Sequence, residues 1–193
     1  MSDDHHVWGV NHARPADAER VADLARAARG APVIVGIDGP AGSGKSSLAQ
    51  LVSRALDDAP VVHLDDIFPG WDGLAAAPAL LSAQVLTPLT RGEPAAYRRF
   101  DWQSGRYAEL VQVPEHRFVV VEGCACTVGS AREDVAVRVW LEAEHDLRMK
   151  RGLERDGDTF GTNWERWARQ EAAVFAADHT RDHAHLLFRT DPD

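Results

Sequence analysis

The sequence predicts an α/β fold built as a three-layer sandwich, with a mainly parallel five-stranded sheet carrying helices on both faces. Two observations lead there. Five short apolar runs read as buried strands, because they are continuous rather than alternating. Stretches with helical spacing of apolar residues separate most of them, as strand–helix–strand crossovers require.

The elements follow in order. Residues 15–29 read as a helix: Val21, Leu24, Ala25 and Ala28 share a face, Pro15 suits the first turn and Gly30 the exit. Residues 33–37 form the first apolar run. Residues 46–57 read as a helix with Leu48, Leu51, Val52, Ala55 and Leu56 on one face. Residues 61–64 are the second run, ending at Asp65 and Asp66. Residues 69–106 are irregular and rich in Gly, Pro and aromatics, with a helix over 78–90. Residues 118–121 and 135–141 are the third and fourth runs. Helices follow over 146–155 and 164–179, and residues 185–188 close the sheet.

At 193 residues the chain fits one domain. Residues 1–13 read as a leader, in which His5 and His6 look like terminus rather than metal site. Lys+Arg number 21 and Asp+Glu 30, a net charge of −9 that speaks against a nucleic-acid partner. No apolar stretch approaches the roughly 20 residues of a membrane helix, and the polar start has no signal-peptide core. Cys124 and Cys126 are too few and too close to brace a secreted fold, so the expected compartment is cytoplasmic. With no second ligand pair at metal spacing they read as structural. Only Lys45 and Lys150 are lysines.

Residues 39–46, Gly-Pro-Ala-Gly-Ser-Gly-Lys-Ser, match the phosphate-loop pattern Gly-x-x-x-x-Gly-Lys-Ser/Thr between a strand and a helix. Glycines let successive N–H groups face an anion, and the helix N-terminus adds partial positive charge. Gly39, Ala41, Gly42, Ser43, Gly44, Lys45, Ser46 and Ser47 are therefore candidate nucleotide-binding residues of a P-loop NTPase fold. Lys45 would reach the β- and γ-phosphates, and Ser46 would hold Mg²⁺. The chain lacks the Asn-Lys pair of a GTPase base reader. Its size points by analogy to kinases of small molecules.

From Leu64-Asp65-Asp66-Ile67-Phe68 onward the chain resembles the uridine kinase family, within the uridine kinase, phosphoribulokinase and pantothenate kinase group. Phe100-Asp101-Trp102-Gln103-Ser104-Gly105-Arg106 resembles the family's nucleoside-facing segment, without its His. Glu122-Gly123 resembles the end of its third strand. Arg148, Arg151, Arg155 and Asp156 resemble its Arg-rich lid, with Gly152 replacing one Arg. The likeness spans about residues 33–156. It implies an ATP-dependent kinase transferring the γ-phosphoryl group to a hydroxyl of a nucleoside-like acceptor, with ATP and Mg²⁺, and is compatible with a homo-oligomer.

On that basis residues 69–115 are the acceptor-binding insertion and 146–162 the lid. Asp65 is read as the acceptor base and Asp66 as the alternative, both acceptor candidates, since alternation along an extended chain would admit only one of them. Phe68, Tyr97, Arg99, Asp101, Trp102 and Arg106 complete the acceptor candidates. Ser46, Asp65 and Glu122 are the metal candidates. Arg148, Arg151 and Arg155 lie at i, i+3 and i+7 on one helix face, suited to clamping polyphosphate; Arg148 and Arg151 are assigned to catalysis with Lys45 and Asp65. A monophosphate, vitamin-precursor or sugar kinase, or a regulatory nucleotide-binding protein, remains an alternative.

Overall fold

The computed structural model describes residues 13–192, with the side chains of residues 156 and 158–160 left out. The leader reading, with His5 and His6, lies outside the described residues except for Ala13.

The first apolar run forms β1 (Val33–Asp38), buried throughout. Helix α1 (Pro15–Ala27) precedes it and α2 (Lys45–Ala55) follows the phosphate loop. The second run forms β2 (Val61–His63). It stops a residue early, because Leu64–Asp66 turn into a 3₁₀-helix. Alternation therefore does not govern Asp65 and Asp66, since the backbone there is not extended.

The helix expected over 78–90 runs as α3 (Ala77–Leu81), a π-helical stretch (Ser82–Leu86) and α4 (Thr87–Thr90). An antiparallel hairpin follows, β3 (Ala96–Asp101) and β4 (Arg106–Gln112), where the sequence suggested only irregular chain. A register shift between Arg98 and Phe100 breaks its alternation. Then come β5 (Phe118–Glu122), α5 (Ala131–Asp134), β6 (Val137–Glu142), α6 (His145–Asp178) and β7 (Leu186–Arg189).

Helix α6 holds the two helices expected over 146–155 and 164–179, joined across a kink. It is interrupted at Gly157 alone, at φ 65° and ψ −149°. One glycine, free of a Cβ, absorbs the break.

The sheet has the order β2-β5-β1-β6-β7, with every pairing parallel. Strand alternation divides its core in two. Val33, Val35, Ile37, Phe118 and Val120 face α1 and α2, joined by Val21, Leu48 and Val52. Ile34, Val119 and Val121 face the other way, toward Phe68, Leu81, Leu86, Trp164 and Trp167. The three layers and five parallel strands agree with the sequence expectation. No helix among the described residues is long and apolar enough to cross a membrane.

Phe68 is fully buried in the second core, its ring edge-on to Trp167 at 4.9 Å. This corrects its assignment to the acceptor pocket: the 3₁₀ turn swings the side chain inward. Phe68→Ala should cost about 3–5 kcal/mol, the usual range for a buried aromatic truncation. Chemical denaturation checks this, and a cost under 1 kcal/mol would return Phe68 to the pocket.

Candidate active site

The loop between β1 and α2 sits at the carboxyl edge of the sheet, where ligands bind parallel α/β folds. Buried Asp38 anchors both its start and the loop after β5. One carboxylate oxygen accepts the amides of Gly39 (2.7 Å) and Ala125 (2.8 Å). The other accepts the amide and hydroxyl of Thr127, both at 2.8 Å. Burial pushes Asp38's pKa up, opposed by those bonds. Gly39 has φ 138°, and a Cβ there would meet the Leu141 carbonyl oxygen at 2.0 Å, so no other residue fits. Gly44 caps α2 at φ 96°.

Three successive loop carbonyls are taken from outside. Arg148 donates to Ala41 O (3.0 Å), Arg151 to Gly42 O (3.3 Å) and Thr190 Oγ1 to Ser43 O (2.8 Å). Arg151 also donates to Thr190 Oγ1 (2.8 Å) and Thr190 O (2.6 Å). In this structure Arg148 and Arg151 therefore brace the loop's carbonyl side rather than stand over its amides. The arginine face expected over polyphosphate here meets the loop's carbonyls, because helix α6 begins against the loop, with Arg148's backbone within 3 Å of where a Gly42 Cβ would lie. Ser43 Oγ is buried with no hydrogen-bond partner among the described residues. An unpaired polar atom inside a glycine-rich anion loop fits a phosphate ligand.

Lys45 is buried and donates to Pro40 O (3.0 Å) and Cys124 Sγ (3.5 Å). Burial works against its charge, but Cys124, Glu122, Glu171 and Asp65 more than offset this and hold its pKa above the usual lysine value. Ser46 Oγ donates to Glu122 Oε1 (3.0 Å), and His63 Nδ1 lies 2.6 Å from the same oxygen. Glu122 is buried, which raises its pKa, yet the His63 bond and the His63 and Lys45 charges bring it below the ordinary range. The hard oxygens of Ser46 and Glu122, with Asp65 nearby, are a donor set that fits Mg²⁺.

Asp65 has an exposed side chain, but the protein crowded around it raises its pKa. Arg155, Lys45 and His63 pull the other way, and Glu122 pushes it up further. Of the arginines expected to clamp polyphosphate, Arg155 is thus one whose charge reaches Asp65. Trp102 Nε1 donates to Asp65 O (2.8 Å) and Tyr107 OH to Ile67 O (3.1 Å), so the hairpin clamps the 3₁₀ turn. Tyr97 OH donates to Asp66 Oδ2 (3.4 Å).

The remaining acceptor candidates are engaged within the hairpin. Arg99 makes a two-pronged pair with Glu109 (2.6 and 3.1 Å). Asp101 accepts from Gln103 N (2.9 Å), Ser104 N (3.4 Å) and Ser104 Oγ (2.8 Å), capping the turn. Arg106 is exposed opposite Asp101. The site therefore gathers Lys45, Ser46, Asp65, Glu122 and Arg155, while Arg99 and Asp101 serve the hairpin.

Three groups at the site escaped the sequence reading. Asp38 looked like the end of an apolar run, and His63 sat inside one. Glu171 lies in the helix read over 164–179, whose Trp164 and Trp167 belong to the core. A buried carboxylate four residues after a tryptophan is a weak signal, but Trp167 Nε1 does donate to Glu171 (2.8 Å).

No family model matches the chain. It is 24% identical over 151 residues to a uridine kinase of Latilactobacillus sakei, covering 70% of this chain and 72% of that one. It is 28% identical over 146 residues to uridine-cytidine kinase C of Dictyostelium discoideum, covering 70% of this chain but only 32% of that protein. A solved structure described as a possible uridine kinase from Bacillus stearothermophilus superposes at TM-score 0.67 with 16% identity, covering 90% of this chain and 97% of that one. The class of protein is thus a P-loop fold of the small-molecule kinase type. The likeness to uridine kinases read from the sequence agrees with these relatives.

The His63–Glu122 pair makes stability depend on pH. Glu122 and the Asp65 and Asp66 charges raise His63's pKa against the effect of burial. A raised histidine contributes fully below its unfolded value of about 6.5. That contribution is lost as pH rises through the folded value. Wild-type Tm should therefore fall from pH 6.5 upward in a step that His63→Gln lacks, each kcal/mol being worth roughly 2–4 °C. Parallel Tm–pH curves for the two proteins would contradict this.

Proposed function

We propose that the chain is an ATP-dependent small-molecule kinase that transfers the γ-phosphoryl group to the hydroxyl of a nucleoside-like acceptor. The observation that carries this is the joining of two chemistries at one sheet edge. Lys45 and Ser46 belong to the phosphate loop, Ser46 is bonded to Glu122, and Asp65 acts electrostatically on Lys45 and Glu122 alike. The uridine kinase and uridine-cytidine kinase relatives support the acceptor class. The free thiols of Cys124 and Cys126 suit a reducing, cytoplasmic setting.

Phosphoryl transfer is chiefly positioning and charge neutralisation. Loop amides and Lys45 hold the phosphate chain in this reading. Ser46 and Glu122, with Asp65, would hold Mg²⁺, which would offset charge on the phosphates. Asp65 accepts the proton of the acceptor hydroxyl as its oxygen bonds to phosphorus, and ADP leaves with the bridging oxygen. Arg155 approaches from α6 to complete the charge balance.

A second reading keeps this chemistry and changes the acceptor. Arg99 and Asp101 are tied up in the hairpin, which favours an acceptor smaller than a nucleoside, such as a sugar or hydroxy acid. A panel of both classes with labelled ATP separates the two.

Lys45→Ala should lower kcat by at least about a thousandfold with Tm unchanged within a few degrees. Asp65→Asn should lower kcat by about 10²–10⁴-fold, the range of a lost general base. Steady-state assays check both, and an Asp65→Asn enzyme within threefold of wild type removes Asp65 from the role.

A further inference from the structure

The C-terminal half of α6 carries a carboxylate that phosphoryl transfer does not use. Glu171 is 3% exposed. Its Oε1 accepts from the Ala41 amide (2.7 Å), the Trp167 indole (2.8 Å) and the Cys124 thiol (3.0 Å). Its Oε2 lies 3.8 Å from Arg148 Nη1. Ala41 belongs to the phosphate loop. The Cys124 sulfur that donates to Glu171 is also the one 3.5 Å from the Lys45 ammonium. A carboxylate with three donors on one oxygen is thus embedded in a loop whose amides and lysine are suited to binding anions.

Two roles could account for it. A cross-brace between helix and loop needs only the acceptor oxygen. An electrostatic role needs the charge, which in a buried setting acts strongly and is little screened by salt. The surroundings favour the second. Glu171 Oε2 lies 3.8 Å from Arg148 Nη1, and its Oε1 reaches the Lys45 ammonium through the single Cys124 sulfur. A triphosphate would bring several more negative charges to the same place.

We infer that Glu171 is an internal counter-anion of the phosphate loop, occupying the Ala41 amide and balancing Lys45 and Arg148, and that it thereby weakens binding of phosphate chains. The inference deepens the kinase reading and rests on it for the ligand, a nucleoside triphosphate. Such a residue sets nucleotide affinity without touching the acceptor.

Titration calorimetry of the full chain with ATP, ADP and AMP tests this on wild type, Glu171→Gln and Trp167→Phe. Glu171→Gln keeps an acceptor oxygen for Ala41 and removes the charge. It should bind ATP about tenfold more tightly, with the gain shrinking through ADP to AMP. ATP affinity that is unchanged or weaker in folded Glu171→Gln overturns the inference and leaves the cross-brace. Should that variant not fold, Trp167→Phe decides. It keeps a ring in the core but removes one donor from the carboxylate, leaving its charge less neutralised. It should weaken ATP two- to threefold and leave AMP unchanged; equal affinity for ATP overturns the inference. A wild type that binds ATP but phosphorylates no acceptor would remove the kinase reading while leaving the counter-anion standing.

Discussion

An anion-binding loop must hold its shape before an anion arrives, and this chain manages it by occupying the loop's carbonyls. Arg148, Arg151 and Thr190 take the oxygens of Ala41, Gly42 and Ser43 in succession. Asp38 pins the loop's first residue and, through Ala125 and Thr127, the segment after β5. With both its start and its outer side bound, the loop has few other conformations to adopt. Pre-organisation of this kind reduces the ordering cost of ligand binding.

The same contacts tie distant parts of the chain together. Thr190 follows β7, Arg148 and Arg151 open α6, and Glu171 returns from the far half of that helix. The start of α6, the end of the chain and the loop therefore form one assembly. The break at Gly157 lies between the part of α6 that braces the loop and the part that fills the core. Arg155, whose charge reaches Asp65, sits just before that break.

Much of the fold was legible in the sequence because its signals are local. Short continuous apolar runs bounded by turn residues read as strands buried on both faces, and the glycine-lysine-serine pattern has its own backbone logic. The hairpin over residues 96–112 was not legible, because its register shift and exposed β4 break the alternation that would announce it. Asp65 was placed at the site by pattern, but the turn that removes Phe68 from the pocket has no sequence mark. Arg148 and Arg151 show the limit of face arguments. Helical spacing correctly predicts that they lie together, yet whether they meet loop carbonyls or phosphates depends on where the helix begins. Glu171 and His63 were hidden for a related reason: polar residues inside apolar patterns reveal their partners only in three dimensions.

The central claim is that the loop and the Asp65 edge together perform phosphoryl transfer to a hydroxyl. Phosphorus NMR of the purified chain with ATP, Mg²⁺ and a panel of nucleosides and small sugars reads the products directly. The account predicts ADP and one new phosphate monoester appearing in equal amounts, with an acceptor-dependent rate. ATP that persists with every acceptor, or ADP accompanied only by inorganic phosphate, would contradict it.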